Sequence, residues 1–156
     1  MPDSHPLLLR AADIEREMQP FRHPWNPNSE AFGAVLGHRL GLKHVGVNIG
    51  RLPPGRESFC PHAHASEEEW VYVLSGRGFA LIGEQEFEVG PGDFIAFPAP
   101  SVVHQMKNPF QQDLLYLMGG DHHEVEIADF PTLNRRMVRK GKDIQVHALD
   151  SAKPFP

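Results

Sequence analysis

The stretch His62-Ala63-His64-Ala65-Ser66-Glu67-Glu68-Glu69-Trp70-Val71-Tyr72-Val73-Leu74-Ser75-Gly76 joins two different patterns. Its second half, Trp70–Leu74, is a continuous apolar, β-favouring run closed by Ser75-Gly-Arg-Gly78, which predicts a strand ending in a tight connection. Its first half is polar and carries two histidines, two positions apart. Side chains two apart on an extended chain point to the same side, so His62 and His64 present two imidazoles together. A carboxylate at Glu69 and a third imidazole at His104, distant in sequence, would complete a mixed nitrogen and oxygen set. Such a set suits Fe(II), Mn(II), Ni(II), Co(II) or Zn(II) and disfavours Ca(II) and Mg(II), which prefer oxygen alone. Glu67 and Glu68 also neighbour the histidines, and either could stand in place of Glu69, although both read first as solvated loop charges.

On both sides of this stretch, short runs alternate with turn signals. Val45, Val47 and Ile49 alternate with Gly46, Asn48 and Gly50 before Leu52-Pro-Pro-Gly55 turns the chain. Phe79–Ile82, Phe87–Val89, Phe94–Phe97, Val102–Met106 and Leu114–Met118 come next, separated by Gly83-Glu84, Gly90-Pro-Gly-Asp93 and Pro98-Ala-Pro100. Short strands with frequent turns and no helix among them predict an all-β barrel or sandwich. Residues 1–39 read as an arm over the outside of the main domain. Ala11–Met18 makes at most two helical turns there, because Pro20, Pro24 and Pro27 stop anything longer. Residues 40–120 read as the barrel core. Residues 121–156 read as a polar, irregular extension that packs on the barrel or on a partner subunit, with two short strands at Arg135–Arg139 and Ile144–Ala148.

Composition narrows the function classes. The 156 residues fit one domain, and 15 basic against 20 acidic residues give a formal charge of −5. That balance offers no broad cationic surface for nucleic acid or anionic lipid, and the cluster Arg135, Arg136, Arg139 and Lys140 reads as solvated surface. Cys60 is the single cysteine, so no intramolecular disulfide and no Cys-based zinc finger can form. The apolar run Leu7–Leu9 is too short for a secretory signal, and no segment approaches the roughly 20 apolar residues that span a bilayer. The expectation is a cytoplasmic protein without membrane or nucleic-acid partners. No phosphate loop, nucleophile elbow or dinucleotide fingerprint occurs.

The same residues resemble the two signature motifs of the cupin superfamily. The first reads Gly55, His62, His64, Glu69, Gly76, with the gap after Gly55 one residue longer than the pattern. The second reads Gly92, Pro98, His104, Asn108, with Pro100 where the pattern has glycine and one extra residue before His104. The phrases Gly46-Val-Asn48, Leu52-Pro-Pro-Gly55, Glu69–Leu74 and Gly92–Pro98 are similar to small stand-alone bacterial cupins of unassigned function. The resemblance implies a cupin double-stranded β-helix, a jelly-roll-like antiparallel barrel. It implies one divalent transition metal ion per chain with His62, His64, Glu69 and His104 as ligands, and two positions of an octahedral ion left open.

Three functions are compatible with that implied site. One is a metal-dependent dioxygenase, isomerase or lyase acting on a small chelating metabolite. The second is a non-catalytic small-ligand binding or sensor protein, and the third a purely structural metal site. The open positions favour the first over the third. Tyr72 and Tyr116 are acid–base candidates that read first as packing residues. Cys60 reads as a small buried residue, Met106 as core, and His122 and His123 as surface. A homodimer is also expected, since cupins commonly pair and the strand-like pieces Val35–Leu40 and Ile144–Ala148 could add to a neighbour's sheet.

Overall fold

The structure, a computed structural model, describes residues 4–151. Among the described residues fourteen strands succeed one another with little helix: β1 Gln19–Phe21, β2 Ala31–Val35, β3 Val45–Leu52, β4 Arg56–Glu57, β5 Ala63–His64, β6 Glu69–Ser75, β7 Gly78–Ile82, β8 Gln85–Val89, β9 Phe94–Phe97, β10 His104–Asn108, β11 Leu114–Asp121, β12 Val125–Phe130, β13 Arg135–Lys140 and β14 Asp143–Ala148. They form three antiparallel sheets, ordered β1-β2-β3-β11-β6-β9, β4-β10-β7-β8 and β14-β13-β12-β5. This is the expected all-β barrel.

The alternation read from the sequence sets the core. On β6, Val71 and Val73 are buried while Tyr72 and Leu74 are exposed, as a period of two requires for a sheet with one face inward. Those two valines join Leu52, Phe97, Leu114 and Tyr116 of the first sheet and Ala80, Val89 and Met106 of the second in one apolar cluster. Asn108 closes this core. Its side chain donates to the carbonyls of Leu52 and Gln112 and accepts from the Phe110 amide. Gly76 lies at φ 77°, and a Cβ there would sit 2.0 Å from the Asp113 carbonyl oxygen, so this turn admits only glycine.

Three expectations need correction. Val35–Leu40 is not a strand: β2 ends at Val35, and Leu36–Arg39 forms a single helical turn, α2. The Arg51 and Arg39 side chains pair with Glu15 and Glu17 of the short helix α1, Ala11–Glu17, but the chain beyond α1 does not stay outside the barrel. β1 and β2 extend the large sheet through β3. The described chain after Asp121 is more regular than expected: the two anticipated strands are present as β13 and β14, and Val125–Phe130 adds β12. β12 pairs β13 along its whole length, β13 pairs β14, and the inner end of β12 takes up β5. The polar look of Val125–Phe130 arises because one face of that strand is built from Glu126, Ala128 and Phe130, all buried.

Candidate metal centre

His62 and His104 come together through the backbone. Each donates its amide to the other's carbonyl, at 3.2 and 2.8 Å, so their side chains leave the pair on one face, with ring centroids 4.5 Å apart. His64 is placed by pairing with Ala128 of β12 and by its own amide, which donates to Ser101 Oγ at 2.8 Å. Glu69 opens β6 between Phe97 of β9 and Gly120 of β11. One donor atom from each of the four residues lies within 4.8 Å of every other. Sequence positions 62, 64, 69 and 104 therefore converge into a group that can hold a metal ion.

The imidazoles are not equivalent. His62 Nδ1 donates to the Cys60 carbonyl at 2.8 Å, and His104 Nδ1 donates to the Val102 carbonyl at 2.9 Å. A carbonyl only accepts, so each bond places a proton on Nδ1 and points Nε2 inward, the usual orienting device of a metal-bound histidine. Phe97 stacks on the His104 ring at 4.0 Å and 14°, and Phe130 stacks on His62 at 5.6 Å and 24°. His64 differs: both its ring nitrogens are buried and neither makes a hydrogen bond. Each instead faces a carboxylate oxygen, Glu69 Oε2 at 3.5 Å from Nε2 and Glu126 Oε1 at 3.4 Å from Nδ1, and a bound cation would give one of them a full partner. This donor set, three imidazoles and one carboxylate, fits the transition ion that the resemblance implied.

Charge in the cluster is set by competition. Burial, helped by the neighbouring His104, lowers the His62 pKa to about 4, so this ring is neutral and ready to coordinate at ordinary pH. Burial opposes charge on His64 too, but the carboxylates of Glu69, Glu126 and Glu67 outweigh it and raise its pKa. Burial likewise opposes charge on Glu69, yet contacts from His104 and His64 overcome it and hold the carboxyl well below its ordinary range. His104 Nε2 lies 2.9 Å from Glu69 Oε2, and His64 Nε2 lies 3.5 Å from it.

Sequence reasoning missed the support beneath this cluster. Glu126, only 2% exposed, accepts from the amides of Ala65 and Ser66 on Oε1 and of Glu67 on Oε2, at 2.9, 3.2 and 3.0 Å. Its Oε1 is also 3.4 Å from His64 Nδ1. Burying a carboxylate costs several kcal/mol, and three charge-assisted bonds of about 1.5–3 kcal/mol each offset that. Glu67 and Arg139, expected to be solvated, pair with each other at 12% and 13% side-chain exposure. Glu68 is exposed as expected, and its amide donates to Asp121. Arg136 pairs with Asp129, and Arg135 covers the Trp25 ring.

A cavity of about 360 Å³ opens onto the cluster. Met106, expected as plain core, and Tyr116 line it from the barrel, and Phe21, His23 and Pro24 of the N-terminal segment complete its wall. Cys60 belongs instead to a separate apolar cluster with Ala128 and Phe130, its thiol 3.4 Å from His23 Nδ1. Tyr72 is on the outer face at 39% exposure, and His122 and His123 are exposed.

Fold and site together define a small antiparallel barrel carrying a three-histidine, one-carboxylate cluster beside an internal cavity. The chain belongs to the cupin superfamily. Residues 48–120 match the model of the cupin domain. A solved structure from Acidithiobacillus ferrooxidans, carrying the provisional name sugar phosphate isomerase, superposes with a TM-score of 0.91 at 30% identity, covering 96% of this chain and 97% of that one. A sugar phosphate isomerase from Silicibacter pomeroyi, of the same superfamily, gives 0.79 at 24% identity over 90% and 94% of the two chains. An uncharacterized protein from Methanocaldococcus jannaschii is 40% identical over 57 residues, 36% of this chain and 44% of that protein. The matched region spans less than half the length of the curated relatives.

Proposed function

We propose that this chain is a metal-dependent enzyme acting on a small molecule that chelates the ion through neighbouring oxygen atoms. The observation that supports it best is the set of His62, His64, Glu69 and His104 donors converging beside the cavity, with both nitrogens of His64 lacking a hydrogen bond. A divalent transition ion held there would supply Lewis-acid polarisation of a carbonyl or, if it is iron, oxygen chemistry. His62 and His104 would hold it through Nε2, their Nδ1 protons being committed to backbone carbonyls. The apolar cavity wall would exclude bulk water from the bound molecule. His23, whose pKa burial lowers, is the base on that wall outside the donor cluster. Among dioxygenase, isomerase and lyase, similarity to the Acidithiobacillus protein favours isomerase chemistry.

The test is direct. Protein purified without chelator should carry about one equivalent of transition metal by elemental analysis. Loaded anaerobically with Fe(II), it should form a spectroscopically visible nitrosyl adduct if an ion position is open; iron without an adduct would mean a closed structural site. A metabolite screen tracking oxygen uptake and product mass then separates oxygenase from isomerase or lyase. A metabolite bound tightly but recovered unchanged would make the protein a binding protein.

We also propose a homodimer. β14 is an open edge strand whose Ile144 and Val146 are 56% and 45% exposed, and such an edge invites pairing with another strand.

A further inference from the structure

Resting on the metal-site reading above, the geometry points to a ligand with a chelating head and an apolar, aromatic-sized body rather than a phosphorylated sugar. The wall of the cavity is the reason. Beyond the four donors it is built largely from rings and thioethers, among them Phe21, Phe59, Phe97, Met106, Met118 and Met137. Among the described residues, no lysine or arginine lines it. Recognition of a phosphate dianion rests on guanidinium, ammonium or a helix N-terminus, and the cavity wall supplies none of these. Glu69 adds negative charge instead.

The remaining polar groups on the wall are few and mostly engaged. The Gln105 side-chain amide donates to Glu57 and to the Phe59 carbonyl. Ser58 Oγ accepts the Met106 amide. His23 Nδ1 faces the Trp25 amide and the Cys60 thiol. Tyr116 is 2% exposed, and its hydroxyl has no hydrogen-bond partner among the described residues. Its pKa is pushed up to about 12 by burial, so it remains a neutral donor. A cavity of about 360 Å³ lies in the size class of small-metabolite sites, in which an apolar lining supplies affinity and a few polar groups set orientation. Phe21 sits at the rim, 42% exposed and tilted against Phe59 at 5.0 Å between centroids, where it would cover the body of a bound molecule.

The experiment compares three probes on Mn(II)-loaded protein by calorimetric titration. Phenylpyruvate has a chelating head and an aromatic body, pyruvate has the head alone, and ribose 5-phosphate is the sugar phosphate. Phenylpyruvate should bind about tenfold or more tighter than either of the others, the effect of burying most of one ring. Phe21→Ala should weaken phenylpyruvate severalfold and leave pyruvate unchanged. Ribose 5-phosphate binding as tightly as phenylpyruvate, or phenylpyruvate binding no better than pyruvate, overturns the inference. A metal-free arm keeps it separate from the metal reading. Benzyl alcohol, which has a ring and no chelating head, should shift the methyl resonances of Met106 and Met118 saturably. If the protein takes up no metal but this shift occurs, the metal reading fails and the apolar site stands; no shift in correctly folded protein counts against the apolar site itself.

Discussion

The barrel and the C-terminal sheet both hold the segment from His62 to Glu69, and they do so by different physics. The barrel works through apolar burial and backbone pairing: His104 bridges His62, β6 carries Glu69 from a core of Val71 and Val73, and Phe97 packs on the His104 ring. The C-terminal sheet works through charge. Glu126 gathers three loop amides, and Arg139 pairs with Glu67. The barrel thus presents His62, Glu69 and His104 on rigid elements, while the other sheet pairs His64 with Ala128 and fixes the conformation of the loop between them. Donors and their support can be separated by mutation, because they lie on different strands.

The largest effect should come from the donors. His104→Ala, and the double variant His62→Ala with His64→Ala, should lose most bound metal by elemental analysis, with circular dichroism still showing a folded β protein. Full occupancy in the double variant would remove the site. Glu126→Gln tests the other side of the comparison. Its amide cannot accept the three loop bonds as the carboxylate does, so metal affinity should fall about 10–100-fold, the usual scale for groups that orient a ligand. A loss as complete as that of His104→Ala would show that the two sheets do not divide the work in this way. Arg139→Ala should do less, a severalfold loss in the same metal titration.

Protonation distinguishes two donors within the segment itself. In metal-free protein, His62 has a folded pKa of about 4 against an ordinary 6.5. The unfolded chain therefore binds the extra proton first, and stability contributed by this site is lost as pH falls from about 6.5 to about 4, on the order of 3 kcal/mol. His64 has the opposite sign: its raised pKa gives stability that is present below about pH 6.5 and lost as pH rises through its folded value. Urea titrations across pH should show His62→Asn flattening the loss below about pH 6.5, and His64→Asn removing the gain in stability that accompanies the fall toward that pH from above. Both substitutions shifting the curve in one direction would contradict the charge balance of the cluster. The smallest effect belongs to the edge of the C-terminal sheet. Ile144→Lys should leave stability within about 0.5 kcal/mol yet shift light scattering from dimer to monomer mass.

What could be read before folding was uneven, for physical reasons visible in single residues. The spacing of His62, His64, Glu69 and Gly76 is local, and a period of two plus a turn places those side chains with little outside help. The alternation at Val45–Ile49 and Phe87–Val89 likewise reports strand formation directly. Glu126 carried no comparable signal. In Val125-Glu-Ile-Ala-Asp-Phe130 both faces mix polar and apolar residues, so periodicity could not say which face is buried. The face that goes inward is the one holding a carboxylate, because the amides of Ala65, Ser66 and Glu67 wait there to receive it. Arg139 and Glu67 look solvated for the same reason: a charge reads as surface until its partner, 72 positions away, is known.

Local pattern was enough to establish an all-β chain and its turn glycines, since strand period and turn chemistry are properties of a few adjacent residues. His62, His64, Glu69 and His104 are joined into one candidate ligand set only by the resemblance to the cupin motifs. The pattern could not say that β12 would support the donor loop or that Phe21 would wall the cavity. Nor could it say that His64, alone of the three cluster imidazoles, would be left without a hydrogen bond. Each of these depends on which distant groups desolvate one another, and that is settled only when the sheets pack together.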